Sequence, residues 1–464
     1  MNTRSKPVRL LATAAMAVTM TACVNHPAPV QADTITAPSS TASPTASPTA
    51  SPTGPQIPGT PAGRQLGWLF EAVPRAPIAD DELAGHFTPD FLKAVPAIQI
   101  NQIFTQVKGM RLERIVSSED TQLVARVVVG GTPFEIVVAV NGAGLMNGLR
   151  FREPVEAKPA PKSWAEADEL LRAVSPQAGF LAAELTGKDG CVPAHTLAAD
   201  RARPLGSMVK LYVLGTVADR IKRGAFGWNT QLTIKDELKS LPTGKLQDRP
   251  DGSKVSVFEA AKLMISISDN TATDLLIHKV GRRAVERTMR AWGVREKGNV
   301  PLLTTRDLFA LKGADYPRLA KRYLSLSPGK RRAYLEQVVA RTPLSQIKPW
   351  TSPRELDTIE YFASPSDICR AYARLVKQGD KHIGAALSIN DAGIGLDRKR
   401  WPTVWFKGGS EAGLSDLSFL ARTKAGTTYV VTTMAADPAA PITEQDTLDQ
   451  LVVSRAAFTL LAER

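Results

Sequence analysis

Apolar and polar positions follow two mixed helix-and-strand regimes along this chain, preceded by a stretch with neither period. Over residues 64–154 the apolar positions first recur at helical spacing, at 65–73 and 80–94, with Asp80 placed to cap the second helix. They then switch to the two-residue period of strands at 109–116, 121–130, 133–140 and 145–151. Gly130-Gly131 and Asn141-Gly142 fall between strand runs, where tight hairpins need residues that tolerate positive φ. Residues 155–162, with Pro159 and Pro161, read as a linker. From 163 to 464 the pattern is mixed again. Helices are predicted at 164–174, from Ser207 to near Gly224, and at 256–265, 271–280 and 365–377; strands are predicted at 177–185, 191–202, 403–409, 416–423 and 427–435. Both parts are therefore expected to be α+β.

The beginning of the chain obeys other rules. Arg4, Lys6 and Arg9 precede an apolar run at 10–20, too short for a permanent span, followed by Met20-Thr21-Ala22-Cys23. This arrangement resembles a bacterial lipoprotein signal. It predicts a signal peptide over 1–22, lipidation of Cys23 and anchoring on the outer face of the cell membrane. Met20 stands where such signals usually carry leucine, and ordinary signal-peptide cleavage is the alternative. Residues 23–63 are dominated by Ala, Pro, Ser and Thr with a repeated Thr-Ala-Ser-Pro, a composition that cannot bury a core and reads as a tether.

Composition narrows the chemistry. The formal charge of +13 is spread over 464 residues without a nucleic-acid-binding pattern, so a basic surface is the reading and no nucleic-acid partner is expected. The five histidines show no His-Glu-x-x-His or paired-Cys spacing, and there is no phosphate-binding loop or dinucleotide fingerprint; no metal and no cofactor are expected. Beyond Cys23, Cys191 and Cys369 either pair in an oxidising compartment or stay separate; two buried thiols are slightly favoured.

Ser207 and Lys210 stand three residues apart at a helix start, where i and i+3 share a face and an amine can activate a hydroxyl. Ser-x-x-Lys recurs at Ser327-Lys330 and Ser345-Lys348, and a serine at a helix start is most simply an N-cap. Two later features raise the first copy above the others. Ser268-Asp269-Asn270 falls in the short break between two helices, and Lys407-Gly408-Gly409 ends a β-rich run, where glycines let another backbone approach.

Ser-x-x-Lys, Ser-Asp-Asn and Lys-x-Gly, in this order and on these elements, resemble the penicillin-recognising serine enzymes, the class A β-lactamases and penicillin-binding proteins. The layout is also similar to LpqF-type actinobacterial lipoproteins and to the β-lactamase-like serine hydrolase encoded with clavulanate biosynthesis. The resemblance implies a five-stranded antiparallel sheet flanked by helices, an all-helical subdomain over about 211–383, and an NTF2-like or cystatin-like cone over 64–154. It also implies site roles. Ser207 would be the acylated nucleophile, Lys210 its proton acceptor, Ser268 a proton relay, and Asn270 a holder of substrate or of Lys210. Lys407 would bind a substrate carboxylate. The backbone N–H groups of Ser207 and Ser410, beside Gly409, would form the oxyanion hole, and Phe406 would line the cleft or join the core.

Two departures limit what the resemblance implies. Lys407-Gly408-Gly409 lacks the usual hydroxyl residue, which Ser410 could replace, and no Glu-x-x-Leu-Asn follows Trp292-Gly293-Val294 to release an acyl group. Residues 316–341 read as a basic helical insertion, after which Glu360 is the candidate base, with an ion pair as its simpler role. The expectation is a monomeric hydrolase of β-lactams or related esters. Its alternatives are a D-Ala-D-Ala carboxypeptidase or transpeptidase acting on wall peptides, and a non-catalytic lipid-anchored binding protein.

Overall fold

A computed structural model describes residues 55–118, 121–186 and 190–463, so the expected signal peptide, Cys23 and the tether up to 54 lie outside the described residues. These residues form two compact units, divided between Val155 and Glu156.

In the first unit, α1 (Pro61–Arg75) begins earlier than its apolar spacing indicates. Pro61 supplies a preset φ at the first turn and Thr60 Oγ1 accepts the Gly63 N–H at 3.1 Å, so 61–63 is helix rather than tether. Asp80 is not a cap. Ala79 holds that position, and Asp80, Asp81 and Glu82 make an acidic first turn in α2 (Asp80–His86). The expected helix at 80–94 breaks at Thr88, which caps α3 (Pro89–Ala94). An unanticipated α4 (Ala97–Gln106) follows, burying only Ile100 and Phe104. The four strands β1 (Arg111–Ser118), β2 (Gln122–Val129), β3 (Thr132–Val140) and β4 (Met146–Arg152) form an antiparallel meander in chain order. Gly130 and Gly131 take φ of 56° and 88° in the β2–β3 turn. Leu66, Leu69, Phe87, Phe104, Leu123 and Ile136 are fully buried in this unit's core.

The second unit opens with α5 (Trp164–Val174), whose cap Ser163 accepts the Glu166 N–H. Its central sheet runs β11-β12-β13-β5-β6, all antiparallel, built from β5 (Gly179–Thr186), β6 (Gly190–Leu197), β11 (Thr403–Glu411), β12 (Leu414–Arg422) and β13 (Thr428–Ala436). On one face, α5 and α15 (Glu444–Ala462) close a core around Phe180, Phe419 and Phe458. On the other lie α6 (Lys210–Lys222) and α13 (Pro365–Gln378), which has a Ser364/Asp367 capping box and ends at Gly379 with φ 67°.

Between these elements runs the helical region. It contains α7 (Val257–Ser266), α8 (Asn270–Val280), α9 (Arg282–Ala291), α10 (Thr305–Gly313), α11 (Arg318–Leu324), α12 (Pro328–Gln337) and α14 (Lys381–Leu387). It is not all helix: β8 (Gln231–Thr233) pairs with β9 (Lys254–Ser256), and β7 (Arg203–Pro204) pairs with β10 (Phe362–Ala363). Cys191 and Cys369 are joined by a disulfide, their Cα atoms 6.2 Å apart, which corrects the preference for separate thiols. α13 packs across β5 and β6 and brings the two cysteines together.

Candidate active site

The chain reaches Ser207 under tight backbone control. The Arg203 guanidinium, buried, donates to the carbonyls of Gln177, Ala178, Ala198 and Arg201 at 2.6–3.0 Å, and the Leu205 N–H donates to Tyr361 O at 2.8 Å. Gly206 then takes φ 48°, and Gly206–Val209 forms one 3-10 turn that leads into α6 at Lys210. Ser207 lies inside this turn and is not a helix cap. The other two Ser-x-x-Lys copies go elsewhere. Ser327 flanks α12, and Lys348 Nζ donates to the Ser345 carbonyl at 2.8 Å.

Lys210 is fully buried, and its Nζ donates to Ser268 O at 2.7 Å, Ser268 Oγ at 2.8 Å and Asn270 Oδ1 at 2.8 Å. Lys407 comes from β11 on the opposite side, donating to Ser268 Oγ at 3.2 Å and to Gly408 O at 2.7 Å. One hydroxyl thus accepts from two buried lysine nitrogens, which leaves its own proton free to donate. Ser268 is held there at φ 57°, an uncommon conformation for a residue with a side chain. The loop is fixed by Asp269, whose carboxylate accepts the N–H groups of Ala272, Lys245 and Leu246 at 2.7–3.0 Å. A Cβ at Gly244 would stand 2.4–2.6 Å from that carboxylate. Thr243 Oγ1 donates to Ser268 O, and Asn270 Nδ2 donates to Leu241 O. The 241–245 loop carries no motif and was not anticipated.

β11 passes the nucleophile turn almost backbone to backbone. A Cβ at Gly409 would lie 2.4 Å from Leu205 O and 2.9 Å from the Ser207 nitrogen, and one at Gly206 would lie 3.2 Å from the Ser410 nitrogen. The two glycines therefore let the Ser410 segment of β11 and the Ser207 turn approach closely. The Ser410 side chain itself is exposed.

Phe406 is a correction. It packs against Phe419, ring centroids 4.9 Å apart, in the core on the far face of the sheet. The two-residue period from Lys407 carries that signal, because 407, 409 and 411 share one face and 406 takes the other.

Glu360 is buried; its Oε1 accepts the Tyr361 N–H at 2.9 Å and its Oε2 lies 3.4 Å from Lys312 Nζ. Lys312, from α10, lies 2.5 Å from Glu411 Oε1 at the end of β11. Burial pulls Lys312 down, but Glu411 and Glu360 raise it further. Burial pushes Glu411 up to about 8 despite the pull of Lys312. Glu360 and Glu411 line a cavity of about 30 Å³ together with Ser207, Lys210, Asn270 and Ser410. Thr305 lines it too, donating to Asp274, a carboxyl that burial raises to about 7. Lys312 and Glu411 belong to no motif; for Glu411 the period from Lys407 was the available signal. Among the described residues no cluster of histidine, cysteine, aspartate or glutamate could hold a metal ion.

A five-stranded antiparallel sheet, a helical region and a serine-lysine-serine-lysine constellation between them define the β-lactamase class of fold. Residues 163–347 match the beta-lactamase enzyme family. Residues 57–146 match the family described as the ORF 12 gene product N-terminal domain. Among solved structures the chain is similar to the β-lactamase of Sphaerobacter thermophilus DSM 20745, at 20% identity over 65% of this chain and 98% of that one, TM-score 0.45. It is similar to PBP-A at 17% identity over 67% and 100%, TM-score 0.43. A class A β-lactamase from Mycobacterium abscessus matches at 16% identity over 64% and 98%, TM-score 0.43. No curated protein matches.

Proposed function

We propose that the protein is a lipid-anchored serine hydrolase of the β-lactamase type, opening β-lactam amides or related esters through an acyl-Ser207 intermediate. The observation that carries the reading is the convergence of Lys210 and Lys407 on Ser268 Oγ beside the Ser207 turn. In the proposed reaction Lys210, in its neutral form, accepts the Ser207 proton as Oγ attacks the substrate carbonyl carbon. The oxyanion forms between the Ser207 and Ser410 N–H groups. Ser268 gives its proton to the leaving nitrogen or oxygen and is reprotonated through Lys210. Lys407 draws in an anionic substrate group. Anchoring through Cys23, on the outer face of the membrane, completes the proposal, and retention of a Cys23→Ala protein in the membrane fraction would count against it.

The test is intact-mass measurement with a fluorescent penicillin and, separately, p-nitrophenyl acetate. Wild type is expected to gain the mass of one acyl group, and Ser207→Ala none. An adduct that persists in Ser207→Ala overturns the assignment of the nucleophile. No adduct with either probe favours a binding protein, and turnover of acyl-D-Ala-D-Ala peptides alone favours a wall peptidase.

A further inference from the structure

Acylation uses Ser207, Lys210, Ser268 and Lys407, but none of these is assigned to releasing the acyl group. The cavity beside Ser207 has the size and the chemistry for that second half-reaction. At about 30 Å³ it exceeds the roughly 10–15 Å³ that one water needs. A water needs polar partners there, and Glu360 and Glu411 are among the residues that line the cavity.

The two carboxyl groups are not equivalent. Glu360 uses one oxygen on the Tyr361 N–H and turns the other to Lys312. Glu411, in a side chain only 7% exposed, uses Oε1 on Lys312 and its carboxyl also shares a hydrogen bond with that of Glu360, whereas Oε2 has no donor from any other residue. A buried polar oxygen so poorly supplied with donors is costly, and in a native structure it requires an explanation.

We propose that Glu411 is the general base of deacylation, holding the hydrolytic water through Oε2, with Lys312 and Glu360 as its positioning residues. The proposal rests on the acyl-Ser207 reading above. Glu411, ionised, takes a proton from the water as the water oxygen bonds to the carbonyl carbon of the acyl-Ser207 ester. The tetrahedral oxyanion sits between the Ser207 and Ser410 N–H groups. It collapses with cleavage of the bond from carbon to Ser207 Oγ, and the proton on Glu411 passes to Oγ. The free acid leaves, and Ser207 and Glu411 return to their starting states.

The charged and titratable groups around Glu411 are Lys312 from α10, Glu360 and Tyr361 from the segment before β10, and Lys210 from α6. Burial and Glu360 hold the Glu411 carboxyl up to about 8 against Lys312. A base titrating near the working pH is effective, and it is more fully ionised as pH rises.

The experiment follows formation and decay of the Ser207 adduct by intact mass, with the same two probes, from pH 6 to 9. It uses the full chain as wild type, Glu411→Gln, Glu411→Asp and Glu360→Gln, each first shown to keep the wild-type far-UV circular dichroism. Wild-type decay is expected to rise with pH and level off above about 8. Glu411→Gln should acylate at the wild-type rate and decay about 100-fold more slowly, without that pH dependence. Glu411→Asp should recover part of the rate. Decay of Glu411→Gln at the wild-type rate, or a wild-type adduct that never decays, overturns the proposal and leaves acylation standing. A slowed, pH-independent Glu360→Gln beside a normal Glu411→Gln transfers the role to Glu360. Absence of any wild-type adduct removes the acyl-enzyme reading and this one with it.

Discussion

At residue scale, Ser268 combines local strain with placement. A side-chain-bearing residue at φ 57° costs roughly 1–2 kcal/mol relative to a right-handed conformation, and only glycine avoids that cost. The site nevertheless has serine there, because the hydroxyl must sit between Lys210 and Lys407. Ser268→Gly is therefore expected to stabilise the fold by about 1 kcal/mol in urea denaturation. The same change should slow acylation about 100-fold, since the proton relay is gone. Denaturation midpoint and labelling rate, measured on one preparation, should move in opposite directions. If both fall, the conformation at 268 is not what the hydroxyl costs.

At element scale, β11 organises the site by its alternation. Lys407, Gly409 and Glu411 face the nucleophile side, while Phe406 fills the opposite core. Gly409→Ala would drive a methyl group to within 2.4 Å of Leu205 O and separate the two backbone N–H groups proposed as oxyanion donors. We expect acylation to fall 100- to 1000-fold with far-UV circular dichroism unchanged. An active Gly409→Ala protein would show that the donors do not need this close approach.

Sequence made this strand legible as an element, and the three motifs singled out Lys210, Ser268, Asn270 and Lys407, whose side chains meet; Ser207 lies in a 3-10 turn ahead of α6 rather than at the helix start, and Asn270 opens α8 rather than closing the break before it. Those signals are local: a periodicity, a break between helices, a glycine pair. What escaped was either short or non-local. α4 is short and buries only Ile100 and Phe104. The Lys312 and Glu411 pair joins positions from distant elements, and nothing near either residue announces the other. The Cys191–Cys369 disulfide is the same case, set by how α13 lies on the sheet.

At the scale of the whole molecule, the buried carboxyl groups give stability a pH slope. Burial raises Asp416 well above its ordinary value, Glu411 to about 8 and Asp274 to about 7. Between the ordinary carboxyl range near pH 4 and these values, the folded protein binds more protons than the unfolded chain. Stability therefore falls as pH rises through that window. The urea midpoint is expected to be higher at pH 5.5 than at pH 8.5, with a shallower slope in Glu411→Gln. A midpoint that climbs steadily from pH 5.5 to 8.5 would contradict the protonated assignment.

The sheet order β11-β12-β13-β5-β6 also sets a schedule for synthesis. β5 and β6 leave the ribosome early, yet β5 finds its other neighbour only when β13 arrives near the end of the chain. Ser207 likewise waits for β11 to bring Lys407 and Ser410 beside it. On the acyl-Ser207 reading proposed above, a chain lacking β11 to β13 would hold Ser207 without its partners, and reactivity would appear only after β11 has joined the sheet.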